Sequence, residues 1–170
     1  MKMLSSKLSL IFIIFLAVII PTSAQNINQS LSSLKGISEM GVIVEKFNTG
    51  LEKSGLSEDG IEQQTWDQLN KAGIKILPMT EVQNVPGVPY LYINVGAIKS
   101  KGENLYAVSI VVEFRQNVVL SRDIKQNYYG AATWSTSNIG IISGDKLKQI
   151  QDFVQESVKR FIDDYKIVNK

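Results

Sequence analysis

The chain has 170 residues, of which 44% are hydrophobic and 20% are charged, and it contains neither histidine nor cysteine. The commonest catalytic base and metal ligand and the strongest side-chain nucleophile are therefore missing. This excludes a Ser-His-Asp triad, a cysteine protease, a histidine-ligated zinc site and a thiol redox centre for the chain acting alone, and we expect no enzymatic activity, no cofactor and no metal.

Residues 1–24 have the pattern of a secretory signal peptide. Lys2 and Lys7 frame a short basic start, an unbroken apolar run covers residues 10–20, and small residues lead to a predicted cleavage site between Ala24 and Gln25. The run is shorter than the ~20 residues that a helix needs to cross a bilayer. Removal of the signal is therefore favoured, with no permanent membrane span afterwards, although its retention as an anchor stays open. The protein is predicted to be exported, as a periplasmic or secreted protein.

The apparent basicity of the chain belongs to this signal. The whole sequence carries 18 basic and 16 acidic residues, and the surplus consists of Lys2 and Lys7. The mature chain is thus formally neutral in its side chains. A general nucleic-acid binder needs a basic surplus to neutralise phosphates, and binding to anionic lipid by charge alone needs a basic patch. Neither kind of partner is expected.

Residues 25–38 are mostly polar and are predicted to be a flexible leader, and residues 39–170 are predicted to form one α/β domain. A β-branched run predicts a first strand over residues 39–47. Helical spacing of Ile61, Thr65 and Leu69, followed by Gly73, predicts a helix over residues 57–72. Residues 74–77 then form a short strand that Pro78 closes.

Three longer strands are predicted over residues 90–99, 105–115 and 118–126, arranged as an antiparallel meander. The loop between the last two strands has two possible lengths, which give two different strand registers. A two-residue loop, Gln116-Asn117, places Asp123 on the core face, whereas a three-residue loop with Asn117 in the left-handed region pairs Phe114 with Val118. The second register is preferred. It leaves Arg122 facing inward, opposite Ile110.

The rest of the chain is predicted to be a polar loop followed by a long helix. Residues 135–143 are rich in serine and are predicted to form this loop. From Asp145 to about Val168, apolar residues recur at steps of three and four, which is typical of an amphipathic helix that lies on a sheet. The expected fold is α+β: a two-layer sandwich with a mostly antiparallel sheet of about five strands, in the order β-α-β-β-β-β-α, and two helices on one face.

A binding site is sought among residues whose chemistry the fold does not use. Arg122 needs a partner or a path to solvent if it lies on an apolar face. An arginine whose aliphatic stem covers the core and whose guanidinium reaches water meets this requirement without a ligand. Two interpretations are open for the aromatic residues Tyr128, Tyr129 and Trp134. They form an exposed aromatic ledge that binds a glycan or peptide, or they pack against the long helix and close the core. Glu113 and Asp123 are a carboxylate pair only if they converge; otherwise they are solvated charges.

The sequence resembles a group of uncharacterised exported bacterial proteins in residues 41–169. The segments that carry the resemblance are Leu69-Asn70-Lys71-Ala72-Gly73-Ile74, Ala132-Thr133-Trp134 and Phe161-Ile162-Asp163-Asp164-Tyr165. The element order is also similar to small α/β modules of bacterial envelope assembly factors, of the curli-assembly and TolB N-terminal type. Unlike the lipoprotein members, this chain has no cysteine to acylate. The resemblance implies a role in the cell envelope and assigns no functional residue.

Together these observations predict an exported, non-enzymatic protein that binds a protein or envelope component through an open sheet face or a strand edge. The alternative is a small-molecule or glycan-binding module that uses the Tyr128 and Trp134 region. The two hypotheses differ in what they require of the structure. The first requires an uncovered apolar sheet surface or edge, and the second requires a pocket lined by Arg122, Tyr128 and Trp134. The oligomeric state is left open.

Overall fold

The computed structural model describes residues 29–47 and 51–170, without the side chains of residues 52 and 53. The predicted signal peptide and the cleavage site at Ala24 and Gln25 lie outside these residues. Within the described part of the chain, no helix combines the length and the apolar character needed to span a membrane.

The described residues form a five-stranded sheet with helices packed on it. The strands are β1 (Glu39–Val44), β2 (Lys75–Ile76), β3 (Tyr90–Lys99), β4 (Leu105–Leu120) and β5 (Asp123–Ser143). The α-helices are α1 (Glu58–Lys71), the single-turn α2 (Met79–Val82) and the long α3 (Ile150–Val168). Shorter helical segments cover residues 29–32, Leu51–Ser54 and Gly144–Gln149.

The strand order across the sheet is β2-β1-β3-β4-β5. β1 is parallel to both of its neighbours, whereas the β3–β4 and β4–β5 pairs are antiparallel. The α+β class, the five strands and the long C-terminal helix are confirmed. The sheet is mixed, because the connection from β1 to β2 crosses over through α1, and a crossover of this kind joins parallel strands.

Helix α1 begins and ends where the sequence predicts. The hydroxyl of Ser57 caps the first turn by accepting a hydrogen bond from the Gly60 N–H, and Gly73 adopts the left-handed conformation with φ +85° just after the helix. The Glu58 carboxylate accepts a hydrogen bond from the Phe47 N–H at 2.8 Å. This bond stabilises the ionised form and lowers the pKa of Glu58.

The core lies between one face of the sheet and helices α1 and α3. Alternate residues of β3 and β4 are buried on that face, and the matching stripe on α3 comprises Ile150, Val154, Val158, Phe161 and Ile162. Phe161 is fully buried at its centre. Its ring centroid lies 5.7 Å from that of Phe114, 5.2 Å from that of Trp134 and 6.3 Å from that of Tyr165.

The short helix α2 packs on the opposite face of β1. A Cβ at Gly41 would lie 3.0 Å from Cγ2 of Val82 and would overlap the Met79 sulfur. Met40 and Val42, the neighbours of Gly41 in the strand, point into the main core instead. Glycine is thus the residue that lets α2 approach the strand backbone.

The described part of the predicted leader packs against the domain. Leu34 is fully buried, and the hydroxyls of Ser30 and Ser33 both donate to the carbonyl of Thr133. At the other end of the chain, the Asn169 amide donates to the Leu34 carbonyl at 2.9 Å. These contacts tie both ends of the described chain to the same end of the fold.

The predicted loop at residues 115–117 is wrong. β4 continues to Leu120, the turn lies at Ser121 and Arg122, and Phe114 pairs with Trp134 rather than Val118. Tertiary hydrogen bonds hold the polar residues in the strand: the Asn117 N–H donates to the Gly87 carbonyl, and the Gln116 amide donates to Thr133 Oγ1 and to the Ser33 carbonyl. None of these partners is near in sequence.

Two further expectations fail for the same reason. The segment 135–143, predicted as a polar loop, is the second half of β5 and pairs with β4 from Leu105 to Glu113. Arg122 does not face the core opposite Ile110; it is exposed in the turn, and Ile110 pairs with Asn138.

Candidate functional site

The edge strand β5 carries the surfaces that the fold leaves uncovered. It is the last strand of the sheet, and among the described residues no strand pairs with its outer edge. Its first part forms, with the end of β4, a two-stranded projection that we call the hairpin arm, residues 118–129. The register shifts twice at the base of the arm, between Phe114 and Arg115 and between Gln116 and Val118. Such bulges bend a strand and re-aim the segment beyond them.

The second part of β5 borders a groove against helix α3. This edge groove runs along residues 136–142, and its wider end has a volume of about 310 Å³. The lining at that end is mainly apolar and includes Val108, Ile110, Gly140, Ile142, Ile150 and Phe153. The Phe153 ring is 50% exposed, although it lies on a helix whose other large apolar residues are mostly buried. The groove therefore offers an apolar floor and an aromatic wall directly beside a strand edge.

Gly140 opens this end of the edge groove. It pairs with Val108 in the sheet, and alternation from the buried Trp134 places it on the core-facing side of β5. A Cβ at Gly140 would meet no atom within 4 Å. A side chain at this position would therefore stand in the groove, and its absence leaves room above Val108 and Ile110.

The other end of the edge groove is polar. It has a volume of about 270 Å³ and is lined by hydroxyl, amide and charged groups, among them Thr136, Asn138, Lys159, Arg160 and Asp163. The Asn138 amide donates to the Ser157 hydroxyl at 3.1 Å, which holds its side chain across the groove. With acidic and basic groups both present, this end shows no strong preference for one sign of charge.

The outer face of the sheet has an exposed apolar corner near the same edge. Ile98, Ile139 and Ile141 are all exposed, and Ala107 lies between Ile98 and Ile141 in the register of three adjacent strands. Singly exposed apolar residues are ordinary, whereas a contiguous row marks an interaction surface.

The structure does not bring the four predicted site residues together. Trp134 is 3% exposed, and its indole N–H donates to an oxygen of Asp164 at 2.8 Å. Tyr128 and Tyr129 are exposed on the hairpin arm, and Arg122 lies at its tip. None of these four residues lines the edge groove. Trp134 belongs to the core, and the two tyrosines belong to the arm.

We expect Trp134→Phe to lower the free energy of unfolding by about 1–2 kcal/mol, because a partly buried hydrogen bond to a carboxylate is lost and the smaller ring leaves a gap. Chemical denaturation measures this change. Asp164→Asn, which keeps an acceptor for the indole, should cost less. Equal stabilities of Trp134→Phe and the unchanged protein would show that the hydrogen bond is not formed.

The two carboxylates considered for catalysis are apart. Glu113 forms an ion pair with Arg115 at 2.6 Å, while Asp123 pairs with Leu120 at the tip of the arm. Within the described residues no group of acidic side chains has the arrangement of a metal site.

The Glu113–Arg115 pair belongs to a polar cluster on the outer face. The Arg115 guanidinium stacks on the Tyr92 ring, 3.7 Å from its centroid, and the Tyr92 hydroxyl donates to Glu45 at 2.8 Å. Burial is the main cause that raises the pKa of Tyr92. Because each member of this cluster already has an interaction partner within it, we interpret the cluster as a structural network.

Sequence reasoning missed the edge groove. Ser135, Thr136, Ser137 and Asn138 suggested a loop, and only the alternation of Ile139, Gly140 and Ile141 signalled a strand. Phe153 was the second available signal, since it falls off the apolar stripe of the long helix. Neither signal identifies a groove without the pairing of β5 to β4.

Comparisons with known proteins give likeness in fold only. No protein-family model and no curated protein matches the chain. A PelC dodecamer from Paraburkholderia phytofirmans, solved in space group P6, is 16% identical, with a TM-score of 0.42 over 75% of this chain and 86% of that chain. A variant of the same protein in space group C2 is also 16% identical, with a TM-score of 0.44 over 77% of this chain and 89% of that one. The function is therefore inferred from the geometry of the edge groove.

Proposed function

We propose that this chain is an exported, non-enzymatic protein of the cell envelope that binds an extended segment of a protein along strand β5, in the edge groove. The observation that carries the proposal is an open apolar groove beside an unpaired strand edge, with Gly140 leaving its floor uncovered. The signal-peptide pattern and the resemblance to envelope assembly modules support the location.

The edge of β5 has the chemistry to hold an added strand. An unpaired edge presents a row of backbone N–H and C=O groups, which bind an extended peptide by the hydrogen bonds of a sheet. Proteins usually protect such edges with lysine, proline or short length. Residues 134–143 contain no charged residue and no proline, so this part of the edge lacks that protection.

The edge groove adds a pocket for side chains. Alternate side chains of an added strand point to the same face, and on the helix side they enter the space between β5 and α3. Phe153 and the open position at Gly140 favour an apolar side chain there. Thr136 and Arg160 favour a polar side chain farther along. This alternation suits a peptide strand.

The glycan-binding alternative requires Tyr128 and Trp134 on one surface, and the structure separates them. The Trp134 ring is buried against Phe161, whereas Tyr128 and Tyr129 are exposed on the hairpin arm. The wider end of the groove has Phe153 as its aromatic wall and a mainly apolar lining. We therefore favour a protein partner.

Site-specific photo-cross-linking tests the proposal. A photoreactive amino acid replaces Phe153 in the exported protein, and matched protein carries it at Gln64, an exposed position on α1. Cross-links to protein are expected from position 153 and not from position 64. Gly140→Val should abolish them by filling the groove, while Ser137→Val, on the opposite face of the same strand, should leave them intact.

The opposite pattern would overturn the proposal. Cross-links that persist unchanged in Gly140→Val, or that form only to glycan, would show that the edge groove does not hold a protein strand. Gly140→Val itself is expected to fold, because a branched side chain suits a strand and meets no neighbour.

A further inference from the structure

We propose that the strand bound in the edge groove is the hairpin arm of a second copy of this chain. Two copies would then be joined edge to edge by their β5 strands around a two-fold axis. The inference rests on the proposed function, since it names the partner for the same groove.

The hairpin arm is an apolar surface without cover. Ile124 is 75% exposed and Tyr128 is 59% exposed, and Val119 and Tyr129 are also exposed. An isolated two-stranded hairpin is marginally stable in water, and in this arm residues 124–126 have no partner in β4, because the register jumps from Val119–Asn127 to Leu120–Asp123. A partner that covers these side chains would stabilise the arm.

The arm cannot reach the edge groove of its own chain. Both lie on strand β5, and Tyr128 and Gly140 are separated along it by roughly 40 Å at 3.3 Å per residue. A strand cannot fold back on itself over that length without a turn, and β5 is continuous from Asp123 to Ser143. An arm that fills a groove therefore belongs to another copy.

The arm and the groove agree in length. The outer strand of the arm, residues 123–129, and the groove segment, residues 136–142, are each seven residues long. Both span roughly 23 Å. In the antiparallel alignment that places residue 124 opposite residue 140, residues 123–128 lie opposite residues 136–141, so the two segments overlap over six residues.

Tyr128 on the arm and the groove segment agree in facing. Tyr128 pairs with Val118, and alternation along β4 places Val118 on the same side as the buried Phe114. Residues 124–126 have no partner in β4, so the sheet does not fix their side, and the proposed pairing places Ile124 and Gln126 on the side of Tyr128. In the groove segment, Thr136, Asn138 and Gly140 take the same side. A two-fold axis perpendicular to the sheet keeps matching faces on one side, so the two sets meet.

One antiparallel register pairs these residues by chemistry. It places Ile124 opposite Gly140, with Gln126 opposite Asn138 and Tyr128 opposite Thr136. Ile124 then fills the space above Val108 and Ile110, beside the Phe153 ring. The amide groups of Gln126 and Asn138 face each other, and the Tyr128 hydroxyl faces a hydroxyl. The two-fold axis passes near Ala132.

The symmetry makes the contact reciprocal. In a two-fold pair each copy gives one arm and receives one, so both grooves are filled and the assembly closes. The bulges near Gly130 and Thr133 interrupt the pairing around the axis and divide it into two equal segments. The mature chains are neutral, so no net charge opposes their association. The β5 edge of each sheet is thereby covered.

The size of the contact sets the expected affinity. Two six-residue pairings with the adjoining helix side chains make an interface near the lower end of stable complexes. We expect a dissociation constant of about 1–10 µM for the mature protein, within reach of sedimentation velocity.

Sedimentation of the purified mature protein tests the inference. The unchanged protein should form dimers at about 100 µM. Ile124→Asp should weaken the dimer more than tenfold, because a carboxylate would enter an apolar groove. Asn127→Asp adds the same charge on the opposite face of the arm and should have little effect. Gly140→Val should weaken the dimer as Ile124→Asp does.

Disulfide trapping fixes the register. The chain has no cysteine, so Ile124→Cys with Gly140→Cys adds the only thiols, and oxidation should link two copies covalently. Asn127→Cys with Gly140→Cys should not. A monomer at about 100 µM, or a dimer unaffected by Ile124→Asp, would overturn the inference. If the inference fails in this way, cross-links from position 153 to a different protein would still support the proposed function. If those cross-links are also absent, the proposed function and the dimer inference are both refuted.

Discussion

Phe161→Ala is expected to lower the free energy of unfolding by about 3–5 kcal/mol, the usual cost of removing a buried aromatic ring. Phe161 is fully buried, and its ring contacts those of Phe114, Trp134 and Tyr165. It joins α3 to the sheet beside the Phe114–Trp134 pair, next to the bulges at the base of the hairpin arm. Truncation leaves a cavity among the three remaining rings.

The matched control lies on the same helix. Phe153→Ala removes the same side chain from a half-exposed position, and we expect a loss of less than about 1 kcal/mol because little buried area disappears. Urea denaturation of both variants measures the two free energies of unfolding. Comparable losses for Phe153→Ala and Phe161→Ala would contradict the assignment of Phe161 to the core and Phe153 to the groove.

Gly41→Val is expected to lower the free energy of unfolding by about 3 kcal/mol, at the upper end of the cost of overpacking a core. The added Cβ meets Val82 Cγ2 at 3.0 Å and overlaps the Met79 sulfur. The Met79 side chain can move aside, but the two branches of valine extend farther toward α2. The helix must then lift away from β1, or the strand must shift.

The same substitution at Gly140 should have the opposite sign. Gly140 also lies within a strand, but a Cβ there meets nothing within 4 Å, and replacing a strand glycine removes backbone freedom from the unfolded chain. We expect Gly140→Val to raise the free energy of unfolding by about 0.5 kcal/mol. Thermal unfolding of the two variants side by side checks this. A loss of stability in Gly140→Val would show that the groove is not open.

The elements with local signals were predictable from the sequence. Helix α1 has a serine cap, two acidic residues in its first turn and Gly73 after its end, and each of these acts on its own backbone. The spacing of the apolar stripe predicts helix α3. The α+β class followed from the order of these elements.

The errors arose where distant residues decide the structure. Gln116 and Asn117 look like a turn, but contacts with Ser33, Thr133 and Gly87 hold them in β4. Moving the turn to Ser121 and Arg122 changes the partner of Phe114 and turns residues 135–143 into an edge strand. The candidate site changes as well. Trp134 is part of the core, and the edge groove lies beside a strand that the local sequence does not predict.

Amide hydrogen exchange of the mature protein at low and high concentration tests the central claim, that the edge of β5 pairs with a strand of another chain. We expect the amides of residues 123–129 and 136–142 that point away from β4 to exchange slowly at about 100 µM and rapidly at about 0.1 µM, with no such change in β3. Gly140→Val should keep them rapid at both concentrations. Exchange along β5 that is equally rapid at both concentrations in the unchanged protein would contradict the pairing of this edge between copies.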